Sequence, residues 1–323
     1  MRLLVTGGAG FIGSNFVRKC IDGTYEGISS VTVLDKLTYA GVKANLDSVK
    51  GNNSFEFVKG DICDNSIVSS LLAENDAIVN FAAESHVDRS IESSAEFIRT
   101  NVNGVQVLLD AIRREGLNKR FIQVSTDEVY GSINHGSWKE ESSLLPNSPY
   151  SASKAGGELL ARSYFRTHSL DVVITRCSNN YGPYHFPEKL IPLFITNIIE
   201  GKNIPVYGRG NNIRDWLHVD DHCQGIYKVL MGGRSGEVYN IGGGSELSNL
   251  EISYLILSAM GADHSRIEFV EDRKGHDFRY SVNWTKIQNE LNYEPNIGFE
   301  DGLRNTINWY LANANWWQPL KKH

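Results

Sequence analysis

Short, nearly continuous apolar runs alternate with amphipathic segments through the first 180 residues. Six runs have the length of a strand, at residues 3–6, 31–35, 55–59, 77–81, 121–125 and 172–177. Strands of a parallel sheet are covered on both faces, so they read as apolar throughout instead of alternating. Segments such as residues 95–114 and 151–167 carry apolar residues at helical spacing. The pattern predicts an α/β fold with a doubly wound parallel sheet.

The pattern changes after about residue 180. Strand-like runs become sparse, at residues 204–207, 238–241 and 267–270, and Gly and Pro interrupt the helical segments. We therefore expect a sheet domain over residues 1–180 and a smaller C-terminal lobe over residues 181–323, with some interleaving. The tail, with Trp309, Trp316 and Trp317, predicts a capping helix. Ligands of doubly wound folds bind at the carboxyl ends of the strands.

Composition and charge narrow the possible partners of the 323-residue chain. Its formal net charge is −6, from 32 Lys and Arg against 38 Asp and Glu, without a long run of one sign. This balance argues against a nucleic-acid partner but is compatible with a local basic pocket for a small anion. The most apolar central stretch, residues 190–199, is about half the roughly twenty residues that a membrane span needs. We expect no membrane association.

The cysteines and histidines indicate neither disulfides nor a metal site. The cysteines are scattered without a CxxC pair, at Cys20, Cys63, Cys177 and Cys223, which is typical of reduced thiols. Met1 leads directly into a predicted strand, which is not the pattern of a secretory signal, so we expect a cytoplasmic protein. His218 and His222 have a spacing that could suit a metal, but the acids between them favour a helix start. We expect no metal.

A glycine-rich turn follows the first predicted strand. Gly7, Gly10 and Gly13 form a G-x-x-G-x-x-G pattern ahead of a helical segment. Glycines permit a tight turn and close approach of the backbone to a pyrophosphate, which then lies at the positive end of the helix. At the first strand of a βαβ series, the pattern predicts a Rossmann-like dinucleotide site.

Asp35 ends the second predicted strand, 22 residues after Gly13. A carboxylate there accepts hydrogen bonds from ribose hydroxyls and repels a 2′-phosphate, which favours NAD over NADP. Lys36, next to it, weakens this discrimination. Asp61 and Ile62 follow the third strand and could flank the adenine, although Asp61 could equally cap the next helix.

Tyr150 and Lys154 form a Y-x-x-x-K pattern at the start of a helical segment, so both side chains lie on one helix face. An ammonium near a tyrosine favours the phenolate, which can then take a proton from a sugar hydroxyl. Ser125, at the end of the preceding strand, makes the combination more specific.

Two adjacent acids, Asp127 and Glu128, follow that same strand after Thr126. Like charges side by side are unfavourable, so a stabilising role is a poor explanation for the pair. A dehydration needs two such groups, one to remove a C–H proton and one to protonate the departing hydroxyl. The alternative is an acidic turn that faces solvent.

The motifs at residues 7–13, 82–88, 125–131, 150–154, 178–183, 185–190 and 214–216 resemble those of the dTDP-glucose 4,6-dehydratases, a family of extended short-chain dehydrogenases/reductases. The resemblance covers essentially the whole chain, and Thr126-Asp127-Glu128 is its most discriminating element. It implies that Tyr150 and Lys154 serve C4 oxidation, with Thr126 near O4. Glu128 would remove the C5 proton while Asp127 protonates the leaving C6 hydroxyl, and NAD would be regenerated in each turnover.

The resemblance also implies two groups of binding residues. The cofactor set for NAD is Gly7, Gly10, Phe11, Ile12, Gly13, Asp35, Lys36, Thr38, Asp61, Ile62, Phe81, Ala82, Ala83, Ser85, Thr100, Tyr150, Lys154 and Asn180. The substrate set for a dTDP-hexose is Ser85, Thr126, Asn179, Glu188, Lys189, Leu190, Pro205, Tyr207, Arg214, Asn249, Arg273 and His276. Arginines suit the phosphates because guanidinium binds phosphate oxygens in bidentate fashion.

Two positions depart from the family pattern, and three other functions stay open. Lys274 stands where proline is usual and Phe278 where arginine is common, which affects the expected stiffness and phosphate affinity of that loop. The alternative functions are a UDP-hexose 4,6-dehydratase, a nucleotide-sugar 4-epimerase and a non-catalytic NAD-binding scaffold. The acid pair disfavours an epimerase.

We also expect a homodimer through residues 95–114 and 151–167, with Val107, Ala111, Ala155 and Leu159 facing the partner.

Overall fold

The computed structural model describes residues 1–116 and 118–321, and all six strands predicted for the first 180 residues are present. The strands are β1 (Arg2–Thr6), β2 (Ser30–Asp35), β3 (Phe55–Lys59), β4 (Ala77–Asn80), β5 (Arg120–Thr126), β6 (Val172–Cys177), β7 (Asn179–Tyr181), β8 (Ile204–Tyr207), β9 (Ile213–His218), β10 (Val238–Ile241), β11 (Glu246–Ser248) and β12 (Ile267–Val270). The sequence pattern did not predict β7, β9 and β11.

The helices are α1 (Phe11–Ile21), α2 (Asn65–Glu74), α3 (Val87–Glu92), α4 (Ala95–Ile98), α5 (Val105–Arg114), α6 (Pro149–His168), α7 (Leu190–Ile199), α8 (Val219–Gly232), α9 (Asn249–Ala259), α10 (Thr285–Leu291), α11 (Phe299–Ala312) and α12 (Ala314–Leu320). A π-helical turn, Arg99–Gly104, joins α4 to α5. The predicted capping helix of the tail is in fact two helices, α11 and α12.

Seven parallel strands form the central sheet in the order β3-β2-β1-β4-β5-β6-β10. After β1, the chain adds β2 and β3 on one side of the sheet. It then adds β4, β5, β6 and β10 on the other side. The point of reversal, between β1 and β4, is where such folds bind ligands at the carboxyl ends of their strands. The predicted doubly wound fold is confirmed.

The sheet is buried on both faces, which explains its continuous apolar runs. Leu3 and Val5 belong to the core on the side of α1 and α8, together with Phe16 and Cys223. Leu4, between them, belongs to the opposite core with residues of α2, α5 and α6. Because successive side chains of a strand point to opposite faces, every position of β1 after Arg2 is buried.

The smaller lobe contains a three-stranded sheet, β11-β9-β7, a parallel pair, β12-β8, and a third core formed with α7, α9, α11 and α12. The later part of the chain is shared between lobe and sheet, since β10 pairs with β6 and α8 packs in the core beside α1. A domain boundary at residue 180 stays a prediction. Within the described residues, no helix has both the length and the apolar character needed to cross a membrane.

Candidate active site

A cavity of about 540 Å³ opens at the carboxyl ends of β1, β2, β4, β5 and β6. It is lined by every residue of the cofactor set and of the substrate set, and by Asp127, Glu128, Tyr150 and Lys154. The structure therefore brings together all of the site residues that the sequence pointed to.

The glycine-rich turn leaves no room for side chains at two of its positions. Gly7 has a φ of +69°, and a Cβ there would lie 2.5 Å from the backbone nitrogen of Ala82. A Cβ on Gly13 would lie 2.4 Å from the carbonyl oxygen of Gly7. No side chain of the described residues caps the N-terminus of α1 at Gly10. The free N–H groups and positive end of this helix suit the diphosphate of a dinucleotide.

Asp35 is held rigidly at the edge of the cavity. Its carboxylate accepts hydrogen bonds from the backbone nitrogens of Ala9, at 2.9 Å, and Leu37, at 2.7 Å. Burial raises the pKa of Asp35, while these two N–H groups oppose the rise by stabilising the carboxylate. Gly41 approaches it closely, because a Cβ on Gly41 would lie 2.7 Å from Oδ1 of Asp35. The arrangement fits a ribose of NAD.

Of the two roles considered for Asp61, flanking the adenine or capping the next helix, the structure rules out the helix cap. Asp64, and not Asp61, caps α2 by accepting from the backbone nitrogen of Ser66 at 2.9 Å. Asp61 instead forms ion pairs of 3.0 Å with Lys36 and with Arg99. The charge of Lys36 is thus partly neutralised beside the proposed ribose site.

The acid pair occupies a 3₁₀ turn, Asp127–Tyr130, directly after β5. The Thr126 hydroxyl accepts from the backbone nitrogen of Glu128 at 3.3 Å and lies 3.2 Å from Oδ1 of Asp127. Burial, followed by the charges of Glu128 and Asp215, raises the pKa of Asp127 well above its usual range. Burial also raises the pKa of Glu128, but Arg214 and Lys189 oppose that rise. The two carboxyl groups therefore differ in electrostatic environment.

Tyr150 and Lys154 lie one turn apart at the start of α6, whose N-terminus carries a capping box of Ser148 and Ser151. The Lys154 ammonium donates to the carbonyl oxygen of Val124 at 2.7 Å, and burial lowers its pKa to about 8. Burial, followed by the charge of Glu128, raises the pKa of Tyr150 well above its usual range. The stabilisation of a Tyr150 phenolate by Lys154 stays a prediction.

Two arginines face the cavity from the smaller lobe. Arg214 donates from Nη2 to the carbonyl oxygen of Asp277 at 3.0 Å and stacks over the Tyr280 ring at 4.4 Å. Arg273 forms a two-point ion pair with Asp88. Phe278, one of the two departures, is 48% exposed.

Several buried polar atoms at the cavity have no hydrogen-bond partner among residues 1–116 and 118–321. They are Oγ of Ser125, Oδ2 of Asp127, Oδ1 of Asn179, Nδ1 of His185, Oε1 of Glu188 and Nε1 of Trp216. Buried polar groups are nearly always hydrogen-bonded, so a cluster of unpaired ones at one cavity indicates a polar ligand.

Some residues that line the cavity were not predicted from the sequence, notably Gly41, His86, Asp88, Cys177 and His185. His86 and Asp88 belong to the recognised motif at residues 82–88, so the motif was the available signal. No comparable signal marked Gly41, whose importance depends on its distance from Asp35.

The two histidines with metal-like spacing have separate partners. His218 caps α8 by accepting from the backbone nitrogen of Asp220 at 3.2 Å. Nδ1 of His222 lies 2.9 Å from Oδ1 of Asn180. The prediction that the acids between them begin a helix is confirmed, since Asp220 and Asp221 lie in the first turn of α8.

The parallel strand order, the glycine cradle and the Tyr150–Lys154 turn on one cavity are together typical of the short-chain dehydrogenase/reductase class. The family model described as GDP-mannose 4,6 dehydratase matches residues 4–306. The dTDP-glucose 4,6-dehydratase of Streptomyces niveus is 58% identical, over 99% of this chain and 96% of its own length. The chain belongs to the dTDP-glucose 4,6-dehydratase family, which confirms the resemblance seen in the sequence.

Solved structures agree with this assignment. DesIV, a dTDP-glucose 4,6-dehydratase from Streptomyces venezuelae crystallised with NAD bound, has a TM-score of 0.97 and 57% identity, and the match covers 99% of this chain and 100% of that chain. The UDP-glucose 4-epimerase of Thermotoga maritima has a TM-score of 0.89 at 28% identity, with 97% and 100% covered. Enzymes with different activities thus share this fold, and the residues of the active site must determine which activity each one has.

Proposed function

We propose that this chain converts dTDP-glucose to dTDP-4-keto-6-deoxyglucose and water. The observation that carries the proposal is the adjacent acid pair, with Asp127 buried and Glu128 half-buried, on the same cavity as Tyr150 and a dinucleotide cradle. The cofactor set would hold NAD, which would supply the hydride acceptor for C4 and the hydride donor for C6, so that no net reduction would accumulate. The remaining chemistry falls to the side chains of the protein.

Tyr150 would act first, by taking the proton of the C4 hydroxyl. Its raised pKa means that it holds its own proton at neutral pH in this arrangement, so it needs positive charge nearby to act as a base. Lys154 supplies an ammonium one helical turn away and also orients the cofactor. Thr126, at the end of β5, would hydrogen-bond near O4.

The acid pair would then carry out the elimination. Once C4 is a ketone, the C5 proton is acidic, and Glu128 removes it while the electrons of that bond form the C5=C6 double bond. The C6–O bond breaks, and Asp127 protonates the departing oxygen to give water. Once C6 has received hydride, Glu128 returns a proton to C5, which completes the 4-keto-6-deoxy sugar. The environments support this assignment. Burial raises the pKa of Glu128, but Arg214 and Lys189 oppose that rise and favour its carboxylate form. Burial, followed by the charges of Glu128 and Asp215, raises the pKa of Asp127 and so favours its protonated form.

Residues of the smaller lobe would hold the nucleotide. We assign the phosphates to Arg214 and Arg273, and the pyrimidine to the surface formed by Pro205 and Tyr207. The other members of the substrate set, which are Ser85, Thr126, Asn179, Glu188, Lys189, Leu190, Asn249 and His276, would surround the remaining nucleotide and sugar. Their unpaired polar atoms at Asn179 and Glu188 suit sugar hydroxyls.

The assembly we propose is a homodimer through α4, α5 and α6. The residues expected to face the partner need a correction, because Val107, Ala111 and Ala155 are buried inside the chain. Leu159 is 50% exposed, and Ile98 at the end of α4 is 51% exposed. The side chains of Leu159 and Ile98 are the apolar groups that a partner would cover. We also propose a cytoplasmic enzyme, in keeping with its free cysteines.

The test is incubation of the protein and NAD with dTDP-glucose and, separately, UDP-glucose, followed by mass spectrometry of the products. We expect loss of one water from dTDP-glucose, and none with Tyr150→Phe. A C4 epimer has unchanged mass and is separated from the substrate by chromatography before the mass measurement; its appearance would identify a 4-epimerase. Faster water loss from UDP-glucose would identify a UDP-hexose dehydratase. NAD binding without any turnover would identify a scaffold.

A further inference from the structure

Helix α3 reaches across the cavity to residues of the proposed site. Arg89 donates to Oε2 of Glu188 at 3.1 Å, and its guanidinium carbon lies 3.9 Å from the centre of the Tyr39 ring. The next residue, Ser90, accepts a hydrogen bond from the backbone nitrogen of Tyr150 at 3.1 Å. This short helix therefore contacts both the substrate side and the start of the catalytic helix.

Asp88, also on α3, holds Arg273 from a position 185 residues away in the chain. Nε of Arg273 lies 2.6 Å from Oδ1 of Asp88, and Nη2 lies 3.0 Å from Oδ2. The guanidinium carbon is 5.3 Å from the centre of the Tyr207 ring. The side chain is thus fixed by a two-point ion pair on one edge and an aromatic ring on one face.

The pairing leaves the other edge of the guanidinium available. Asp88 uses Nε and one N–H of Nη2, and Nη1 of Arg273 has no acceptor within the part of the chain that the structure describes. Both Arg273 and Asp88 line the cavity. A guanidinium has five N–H donors in a fixed plane, so two can be bound by a carboxylate while the far edge binds a phosphate.

We propose that Asp88 is a positioning residue, which acts through Arg273 to fix the free guanidinium edge toward the diphosphate of the nucleotide. The inference rests on the proposed function, in which Arg273 binds phosphate. Immobilising a long side chain before the ligand arrives removes an entropic cost from binding. The opposing effect is repulsion between Asp88 and the phosphates, which is smaller because the guanidinium lies between them and solvent screens the half-exposed carboxylate.

The experiment measures the affinity of the protein for dTDP and for thymidine by calorimetry, with Asp88→Ala and Asp88→Asn. We expect the dissociation constant for dTDP to rise about 3- to 10-fold in Asp88→Ala and less in Asp88→Asn, which keeps one acceptor. Thymidine lacks phosphates, so its affinity should stay within about twofold. The matched control is Asp76→Asn, which alters a similar Asp–Arg pair with Arg2 outside the site and should change neither affinity.

A double-mutant cycle shows whether Asp88 acts through Arg273. Adding Asp88→Ala to Arg273→Ala should cause no further loss of dTDP affinity, since the positioned side chain is already gone. Equal losses for dTDP and thymidine, a full additional loss in the double variant, or tighter dTDP binding in either Asp88 variant would overturn the proposal. Failure of the proposed function would appear separately, as absence of water loss from dTDP-glucose by the unaltered protein.

Discussion

The ammonium of Lys154 donates a hydrogen bond of 2.7 Å to the carbonyl oxygen of Val124. This bond ties α6, which carries Tyr150, to β5 two residues before Thr126. The lysine therefore joins the proposed oxidation machinery to the strand end that presents the acid pair. Its remaining N–H groups can still serve a ligand, because an ammonium has three donors.

Replacement of Lys154 by methionine should impair oxidation without unfolding the protein. The two side chains have similar length, but methionine provides neither the positive charge nor the donors. We expect the rate of NAD reduction on addition of dTDP-glucose to fall about 10²-fold or more, as for loss of a group that assists proton transfer. Stopped-flow absorbance measures the rate, and circular dichroism checks the fold. Oxidation at the unaltered rate would remove Lys154 from the mechanism.

The glycine cradle predicts a specific steric defect. Gly13→Ala places a Cβ 2.4 Å from a backbone oxygen, so the turn must shift, and we expect NAD affinity to fall by roughly 10- to 100-fold, or about 1–3 kcal/mol. Gly298→Ala is the control, since a Cβ there meets no atom of the described part of the chain within 4 Å. Calorimetric titration with NAD compares the two variants. Equal NAD affinities would show that the diphosphate does not bind at this turn.

Much of the fold could be predicted because burial on both faces makes the strands of the central sheet continuously apolar. The strands that were missed are short or polar: β7 reads Asn-Asn-Tyr, and β11 contains Glu246 and Ser248. The run at 238–241 was recognised as a strand, but its place beside β6 depends on tertiary packing that local sequence does not encode.

Site residues that belong to one local sequence motif could be predicted. Contacts between residues that are far apart in the sequence could not. Tyr150 and Lys154 share a helix turn, and Asp127 follows β5 directly, so their proximity is local. The pair formed by Asp88 and Arg273 depends instead on how the two parts of the chain pack. Likewise, burial of Val107 beneath α6 is set by helix packing, which the helical period alone does not give.

Leu159 provides a test of the homodimer. Leu159→Glu places a charge on the exposed face of α6 where a partner would exclude water, so we expect the dimer to dissociate at least in part. Light scattering measures the mass. Leu311→Glu is the control, because Leu311 is similarly exposed, at 55%, but lies on α11. If the unaltered protein is a monomer, or if both variants behave alike, the assigned surface is wrong.

His222 should make the protein less stable in acid. Burial lowers its pKa to about 3, so the folded protein keeps it neutral while the unfolded chain, with a pKa near 6.5, binds a proton below that pH. The stability contributed by the neutral form is present above about pH 6.5 and is lost as the pH falls toward the folded pKa. We expect a loss of about 1–2 kcal/mol from this residue between pH 7 and pH 5.

Urea denaturation at the two pH values measures this effect. The difference in unfolding free energy between pH 7 and pH 5 should be smaller in His222→Gln, which does not titrate, than in the unaltered protein. Comparing this difference between the two proteins cancels any change in unfolding free energy that the substitution causes equally at both pH values. The same pH dependence in both proteins would contradict the assignment.

In the proposed mechanism, Tyr150 serves oxidation, whereas Asp127 and Glu128 serve elimination. Tyr150→Phe lacks the base for the first step, whereas Asp127→Asn and Glu128→Gln lack only later groups. Either carboxyl substitution should lower overall turnover by about 10²–10⁴-fold, the usual contribution of a positioned acid or base. Exchange of the C5 hydrogen with solvent deuterium should be lost more severely in Glu128→Gln than in Asp127→Asn.

The most direct measurement is rapid-mixing absorbance of reduced NAD, near 340 nm, after addition of dTDP-glucose to each NAD-loaded variant. We expect the signal to appear in Asp127→Asn and Glu128→Gln, because C4 oxidation precedes the steps that they block, and to be absent in Tyr150→Phe. If neither carboxyl variant reduces NAD, or if Tyr150→Phe does so at the rate of the unaltered protein, the proposed division of roles is wrong.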